Sequence, residues 1–241
     1  MTRLRIIVLC AALMPLWCVE GSLAWNDETH IAIARAAGYE KWYNAAGVDM
    51  IKLKAENLEK PNHYFNNNDN IEVERKIVLD QVKRYDAPRD DEGHLYGAII
   101  ASIRDFSTAR RKGKYAEYHL ALTAHYLGDL SQPLHNTPND QYNKSRHGWN
   151  DGVVEEEVLA NIARIRQHMY EISLSEENFE RDLAGAIARI ANSSRELGYL
   201  IRKEGRDMTK DEAYVRLSHS ASLLKAVLKM ARASEVKASE H

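Results

Sequence analysis

The chain has 241 residues, with 33 Lys and Arg against 35 Asp and Glu and a formal net charge of −2. This near-neutral balance excludes the strong basic field of a dedicated nucleic-acid-binding protein. The length is sufficient for one domain with a sizeable core.

Residues 1–24 have the pattern of a cleaved export signal. Arg3 and Arg5 precede an apolar run that ends at Cys18, and Ser22-Leu23-Ala24 provides a small-x-small cleavage site. The apolar run is too short for an ordinary membrane span. We therefore expect a secreted or periplasmic protein with a mature domain of residues 25–241 and Trp25 at its N-terminus. Cleavage would remove both cysteines, so any metal would be held by nitrogen and oxygen.

The mature segment is predicted to be all-α and to form a single multi-helix domain. Its apolar residues recur at three-to-four spacing, and only five prolines and twelve glycines interrupt the chain. Asn26 or Asp27 is expected to cap the first helix. Two polar loops are expected, over 59–70 around His63 and over 136–146 between His135 and His147. The predicted helices are 27–37, 40–57, 72–86, 93–112, 114–130, 148–171, 175–203 and 210–233.

Candidate metal ligands are concentrated between residues 125 and 151. His125 and Asp129 are four residues apart and share one helix face, and His147 and Asp151 repeat this spacing. Pro133 cannot continue the helix, so His135 can fold back toward its end. Imidazole and carboxylate ligands together favour Zn²⁺ among the common metals.

Two other metal-binding folds do not fit this pattern. A ferritin-like di-iron bundle needs Glu-x-x-His pairs, whereas the spacing here is His-x-x-x-Asp. Phosphohydrolases of the HD type need a His-Asp dipeptide, which the sequence lacks.

The segment Tyr118–His135 resembles the core motif of the zinc-dependent phospholipase C and P1/S1 nuclease superfamily. Other features of that superfamily have counterparts at Trp25, at His30, at Asp49 placed fourteen residues before His63, and at His147 with Asp151. The resemblance covers residues 25 to about 155 and implies a phospholipase C/P1 nuclease-like fold with three zinc ions per chain. It implies three ligand sets: Asp49, His63, His125 and Asp129; His135, His147 and Asp151; and the Trp25 amine and carbonyl with His30 and Asp129.

The resemblance also implies an activity, that of a secreted trinuclear-zinc phosphodiesterase. The His-Tyr-Leu-Gly-Asp sequence and the twelve-residue spacing from His135 to His147 are closer to those of the phospholipases. Phospholipase C-like hydrolysis of phospholipids is therefore the leading expectation. It would involve transient contact with a membrane surface. The alternatives are a single-strand nuclease or nucleotidase of the P1/S1 type, with nucleic acid as substrate, and a non-catalytic zinc-stabilised binding module.

Asp49 is the expected catalytic residue. As a carboxylate beside a reacting water it could take a proton, or it could serve only as a ligand, and the sequence leaves both roles open.

Substrate contacts are expected from four other residues. Glu28 corresponds to an acidic head-group position, and Tyr64 and Phe65 are candidate walls of the cleft, together with Trp149. Lys60 stands where choline-preferring members have an aromatic residue, which argues against a cation-binding aromatic box.

Overall fold

The structure, a computed structural model, describes residues 25–239, and for residues 56, 57 and 234–239 the backbone alone. The predicted signal peptide, its cleavage site and both cysteines lie outside the described residues. The described part contains helices and no strand, which confirms the predicted all-α class. The α-helices are α1 Asp27–Ala37, α2 Gly47–Lys54, α3 Glu56–Glu59, α4 Arg75–Gln81, α5 Leu95–Arg111, α6 Glu117–Leu130, α7 Gln141–Asp151, α8 Ile162–His168, α9 Phe179–Glu204 and α10 Lys210–Ser239. Short 3₁₀ turns cover Trp42–Ala45, Lys60–His63, Val82–Arg84, Pro133–Asn136 and Val158–Asn161.

Helix α6 is the centre of the fold. Every residue from Leu120 to Leu130 is buried, and the helix packs against α1, α5, α9 and α10. A helix that is apolar on nearly all sides must lie inside the protein, since it has no polar face for water. Any polar side chain on its inner turns therefore needs a partner from the protein or from a ligand.

The first helix is capped from a distant part of the chain. Asn26 occupies the N-cap position as expected, but its side chain makes no capping hydrogen bond. The Glu155 carboxylate instead accepts hydrogen bonds from the backbone N–H groups of Glu28 (2.7 Å) and Thr29 (3.1 Å) and from the Thr29 hydroxyl (2.6 Å). The local sequence predicts where the helix begins, whereas a tertiary contact provides the hydrogen-bond acceptor for the free N–H groups of its first turn.

The predicted helix over 40–57 is wrong in its continuity. The segment forms a 3₁₀ turn, then α2 and the one-turn helix α3. The break leaves the Ala45 carbonyl oxygen to accept a hydrogen bond from His125 Nδ1 at 2.8 Å. Periodicity does not reveal this interruption, because the partner lies 80 residues away.

The predicted boundary at residue 148 is also wrong. Helix α7 begins at Gln141, inside the expected loop, because the Asp140 side chain accepts a hydrogen bond from the Asn143 N–H and so caps the helix. Arg202 on α9 donates to both Asp140 carboxylate oxygens and holds this cap in place. The helix ends at Asp151, so the predicted helix over 148–171 is divided between α7, a 3₁₀ turn and α8.

The turn that carries His135 is packed tightly against α9. A Cβ atom at Gly198 would lie 2.7 Å from Thr137 Cγ2 and 3.0 Å from the Pro133 carbonyl oxygen. A larger residue cannot occupy this position without moving the turn. The Asn136 amide donates to the Leu130 and Gln132 carbonyl oxygens (3.0 and 2.8 Å), which fixes the fold-back after α6 that Pro133 predicted.

Candidate metal centre

Asp129 lies at the middle of a buried group of imidazoles. Its Oδ2 is 2.8 Å from His63 Nδ1 and 3.4 Å from His125 Nε2. Its Oδ1 is 3.4 Å from His30 Nε2 and 3.8 Å from His135 Nδ1. The two oxygens of one carboxylate thus face different histidines, which is the arrangement that a bridging ligand requires.

Three groups of side chains in the described part of the chain have the geometry of a metal site. In each, one ligand atom per residue lies within 4.8 Å of the others. The groups are His30 with Asp49 and His125; His63 with His125 and Asp129; and His135 with His147 and Asp151. The third group coincides with a predicted ligand set. The first two divide the remaining predicted residues differently: Asp49 is grouped with His30, and His125 belongs to both groups.

The buried polar atoms of this region fit bound cations. His30, Asp49, Asp129, His135, His147 and Asp151 each have at least one buried nitrogen or oxygen without a hydrogen-bonding partner. Unpaired buried polar atoms are rare in folded proteins, and each costs free energy. The unpaired atoms of these predicted ligands could hold metal ions.

Outer hydrogen bonds orient several of these ligands. His147 Nδ1 is 2.6 Å from Asn143 Oδ1, and His125 Nδ1 is held by the Ala45 carbonyl, so Nε2 of both rings faces the site. Gln132 Nε2 donates to Asp151 Oδ1 at 2.5 Å and leaves Oδ2 directed inward. Such partners fix the tautomer and the angle of a metal ligand.

Burial decides the direction of the pKa shift for three histidines and for Asp151. It lowers the pKa of His125 and His147 to about 3 and that of His135 well below its usual value, so these rings are neutral at pH 7. It also raises the pKa of Asp151 well above its usual value. Neutral imidazole is the form that binds metals, whereas Asp151 needs a cation beside it to remain ionised.

Asp49 has a different balance of effects. Burial raises the pKa of this carboxyl group, but His125, His30 and Lys52 together lower it by more, so the net shift is downward. Asp49 is therefore ionised near neutral pH, which both of its expected roles require.

The structure adds two residues that the sequence did not single out. The Lys52 ammonium is buried 3.7 Å from Asp49 Oδ1 and has no hydrogen-bonding partner. The buried Glu59 carboxylate has Oε1 3.5 Å from His63 Nε2. Both lie one helical turn from a predicted ligand, three residues after Asp49 and four before His63, so a search of neighbouring turns would have found them.

The remaining predicted residues take separate positions. Trp25 is fully buried, and its expected role as a ligand depends on cleavage outside the described residues. Glu28 is exposed on α1, and Trp149 is 76% exposed on α7. Phe65 is a core residue against Tyr96, with ring centroids 5.2 Å apart, which assigns it to packing. Tyr64 lines a cavity beside His147.

That cavity has a volume of about 340 Å³, and its walls are polar and apolar in nearly equal parts. Its wall includes Tyr64, Asn66, Arg89, Asn139, Asn143 and His147. It adjoins the group of His135, His147 and Asp151, since His147 belongs to both. A substrate held here would have an aromatic ring, amide groups and a guanidinium group available next to the candidate metal ligands.

Gly128 is required by the packing of His30. A Cβ atom there would lie 2.5 Å from His30 Nδ1, and the other face of that ring stacks on His125 with centroids 3.7 Å apart. We expect Gly128→Ala to destabilise the protein by about 1–3 kcal/mol through overpacking and to weaken metal binding by His30. Thermal melting and metal content measure both effects.

Gly185→Ala is the matched control for this substitution. Gly185 is also helical, but its Cβ atom would meet only the flexible side chains of Arg75 and Arg189, at 3.4 Å or more. We expect this variant to gain up to about 1 kcal/mol of stability from helix propensity. Equal melting temperatures and metal contents for the two variants would contradict the assigned role of Gly128.

Comparisons of the chain with protein-family models, with curated proteins and with solved structures found no match. No helix in residues 25–239 is long and apolar enough to cross a membrane.

Proposed function

We propose that this protein is a metal-dependent phosphodiester hydrolase with three zinc ions per chain and phospholipids as its leading substrate class. The observation that carries the proposal is the arrangement of Asp129, whose two oxygens face separate histidines within one buried site. Two-metal phosphoesterases hold their ions about 3.5–4 Å apart, and one bridging carboxylate can do this.

The chain provides the ligands that this chemistry needs. His30, Asp49, His63, His125, Asp129, His135, His147 and Asp151 would hold the ions, with the amine and carbonyl of Trp25 completing one set after signal cleavage. Bound zinc supplies Lewis acidity, which stabilises negative charge on phosphoryl oxygens and activates water near neutral pH.

The other residues of the site position the substrate and move protons. The unpaired Lys52 ammonium would donate to a phosphoryl oxygen, which would also satisfy its buried charge. Asp49, ionised and 3.7 Å from the Lys52 ammonium, would accept the proton of the attacking water or remain a ligand only.

Exposed apolar side chains beside the site support a lipid substrate. Helix α2 carries Asp49 and Lys52, and it exposes Met50 (59%) and Leu53 (75%) to solvent. Trp42 and Tyr43 on the preceding turn are also exposed. Apolar and aromatic residues flanking a site are suited to the interfacial region of a membrane.

The cavity beside His147 supports a nucleotide substrate as the second candidate. Tyr64 offers a ring for base stacking, and the asparagines of the wall offer amides for base edges. The alternative P1/S1-type activity is therefore retained.

The two substrate classes are separated by paired variants of the zinc-loaded mature protein. If the substrate is a phospholipid, Leu53→Glu should reduce hydrolysis of phosphatidylcholine vesicles several-fold and leave hydrolysis of bis(p-nitrophenyl) phosphate unchanged. If it is a nucleotide, Tyr64→Ala should raise KM for single-stranded DNA about 10-fold or more, since base stacking contributes about 1–3 kcal/mol. Full metal loading without hydrolysis of lipid, DNA or the model ester would refute the enzyme and favour the zinc-stabilised binding module.

A further inference from the structure

A buried chain of polar side chains runs outward from His63. It begins at Glu59, whose Oε1 is 3.5 Å from His63 Nε2, and continues through Asn62, which donates to Glu59 Oε2 at 3.2 Å. His94 Nε2 lies 2.8 Å from Asn62 Oδ1, and His94 Nδ1 lies 2.7 Å from Asp90 Oδ2. The chain reaches the surface at Arg84, which donates to both oxygens of Asp90 (2.7 and 2.6 Å).

The inner members of this chain are inaccessible to water. Asn62 and His94 are 0% exposed and Glu59 is 6% exposed. The Tyr126 hydroxyl donates to Glu59, and Asn62 also donates to Asp86 at 3.1 Å. Burying several polar side chains costs free energy unless they form hydrogen bonds with one another. This network ends at His63, a candidate metal ligand, which suggests that it serves the metal centre.

The two ring nitrogens of His63 face in different directions. Nδ1 points to Asp129 Oδ2 and to His125 Nε2, at 2.8 and 3.3 Å. Nε2 points away from this group, to Glu59. Each nitrogen therefore faces a carboxylate. A cation bound between Nδ1 and Asp129 would leave Nδ1 unprotonated, so the ring proton would lie on Nε2, toward Glu59.

We propose that Glu59 and His94 are positioning residues for the metal centre. Glu59 holds His63 in the tautomer and orientation that present Nδ1 to the site, and His94 holds Glu59 in place through Asn62. The inference rests on the metal binding of the proposed function and is independent of the substrate. His94 itself is not a ligand, because both of its nitrogens are occupied by Asn62 and Asp90.

The test measures metal binding directly in the full mature protein. We expect Glu59→Gln to weaken binding of one zinc by about 10–100-fold, measured by competition with a chromogenic chelator. The visible absorption of the Co²⁺-substituted protein should change. His94→Gln should weaken the same zinc by a smaller factor.

A double variant tests whether the two residues act through one chain. If they do, Glu59→Gln with His94→Gln should bind zinc no more weakly than Glu59→Gln alone. If the two losses multiply, the residues act separately and the proposal is wrong. An unchanged zinc affinity and Co²⁺ spectrum in Glu59→Gln would also overturn it.

Glu117→Gln separates positioning from a general loss of stability. Glu117 accepts a hydrogen bond from the Tyr39 hydroxyl at 2.6 Å, as Glu59 does from Tyr126. Its ionic contact is with Lys41, whereas that of Glu59 is with the candidate ligand His63. This control should lower the melting temperature without changing zinc affinity. Equal losses of affinity in Glu117→Gln and Glu59→Gln would reduce Glu59 to a structural role.

Two further measurements keep the outcomes distinct. If Glu59→Gln does not fold, Tyr126→Phe removes the other hydrogen bond to Glu59 and should alter the Co²⁺ spectrum, and an unaltered spectrum would overturn the proposal. The wild-type protein is titrated first. If it binds no metal, the proposed function fails; if it binds metal and the variants match it, only the positioning role fails.

Discussion

Asp129→Asn should damage the metal centre more than any other single substitution of a predicted ligand. Asp129 faces His30 and His135 with one oxygen and His63 and His125 with the other. Asparagine has almost the same volume but only one oxygen and no charge, so it cannot serve two ions in the same way. Loss of an outer partner typically costs about 10–100-fold in metal affinity, and loss of a bridging ligand should reach or exceed the top of that range.

Asp151→Asn is the matched comparison. Asp151 belongs to one group, with His135 and His147, and one of its oxygens is already held by Gln132. We expect this variant to lose one zinc, and Asp129→Asn to lose at least two and nearly all phosphodiester turnover. Metal analysis and turnover of both variants decide the question. Full zinc content in Asp129→Asn, with turnover equal to that of Asp151→Asn, would show that the bridging assignment is wrong.

Removal of metal should lower the melting temperature markedly. Without a cation, the fold must keep unpaired nitrogens and oxygens of six ligand residues buried. When the free zinc concentration is a thousandfold above the Kd of a site, zinc binding at that site adds about 4 kcal/mol to the free energy of unfolding. For a domain of this size that corresponds to a drop of roughly 10 °C for each such site. An unchanged melting curve after chelation, with metal loss confirmed by analysis, would contradict this expectation.

The chelated protein should also lose stability in acid. The pKa of His125 and of His147 is about 3 in the folded chain against 6.5 for an ordinary imidazole, so the unfolded chain binds more protons below pH 6.5. Stability therefore falls as the pH decreases from about 7 toward 3. Asp151 acts in the opposite direction. Because its pKa is raised in the folded chain, the folded chain binds this proton at a higher pH than the unfolded chain does, which offsets part of the stability lost in acid.

His147→Gln provides the control for this pH dependence. Removing one imidazole with a lowered pKa should reduce the proton uptake on unfolding by about one proton over the same pH range. Denaturant unfolding of the chelated proteins at several pH values measures that uptake. If the stability of the chelated wild-type protein and that of His147→Gln depended on pH in the same way, the buried His147 would not contribute to the loss of stability in acid.

The helical class and most candidate ligands could be predicted from local patterns. The spacing of four between His125 and Asp129, and between His147 and Asp151, places each pair on one helix face whatever the rest of the fold does. Pro133 ends α6 for a covalent reason, so His135 follows in a turn. These features depend on bonds and angles within a few residues, which is why the sequence alone determined them.

Helix ends were less accessible to such reasoning. The cap of α1 comes from Glu155, and Arg202 from α9 holds the Asp140 cap of α7. The interruption at Ala45 places a carbonyl group behind His125. Each of these contacts joins residues at least 60 positions apart, and the chain must be folded before they exist.

The grouping of the ligands was likewise decided by the tertiary structure. Sequence spacing identifies His30, Asp49 and His63 as candidate ligands. It does not predict how close α1, α2 and the turn that ends at His63 lie to one another. Packing of these elements around the buried helix α6 brings them to Asp129 and also buries Lys52 and Glu59 beside them. Burial then sets the charge states of the site, because the free energy of an ionised group depends on the water and the neighbours that the fold leaves it.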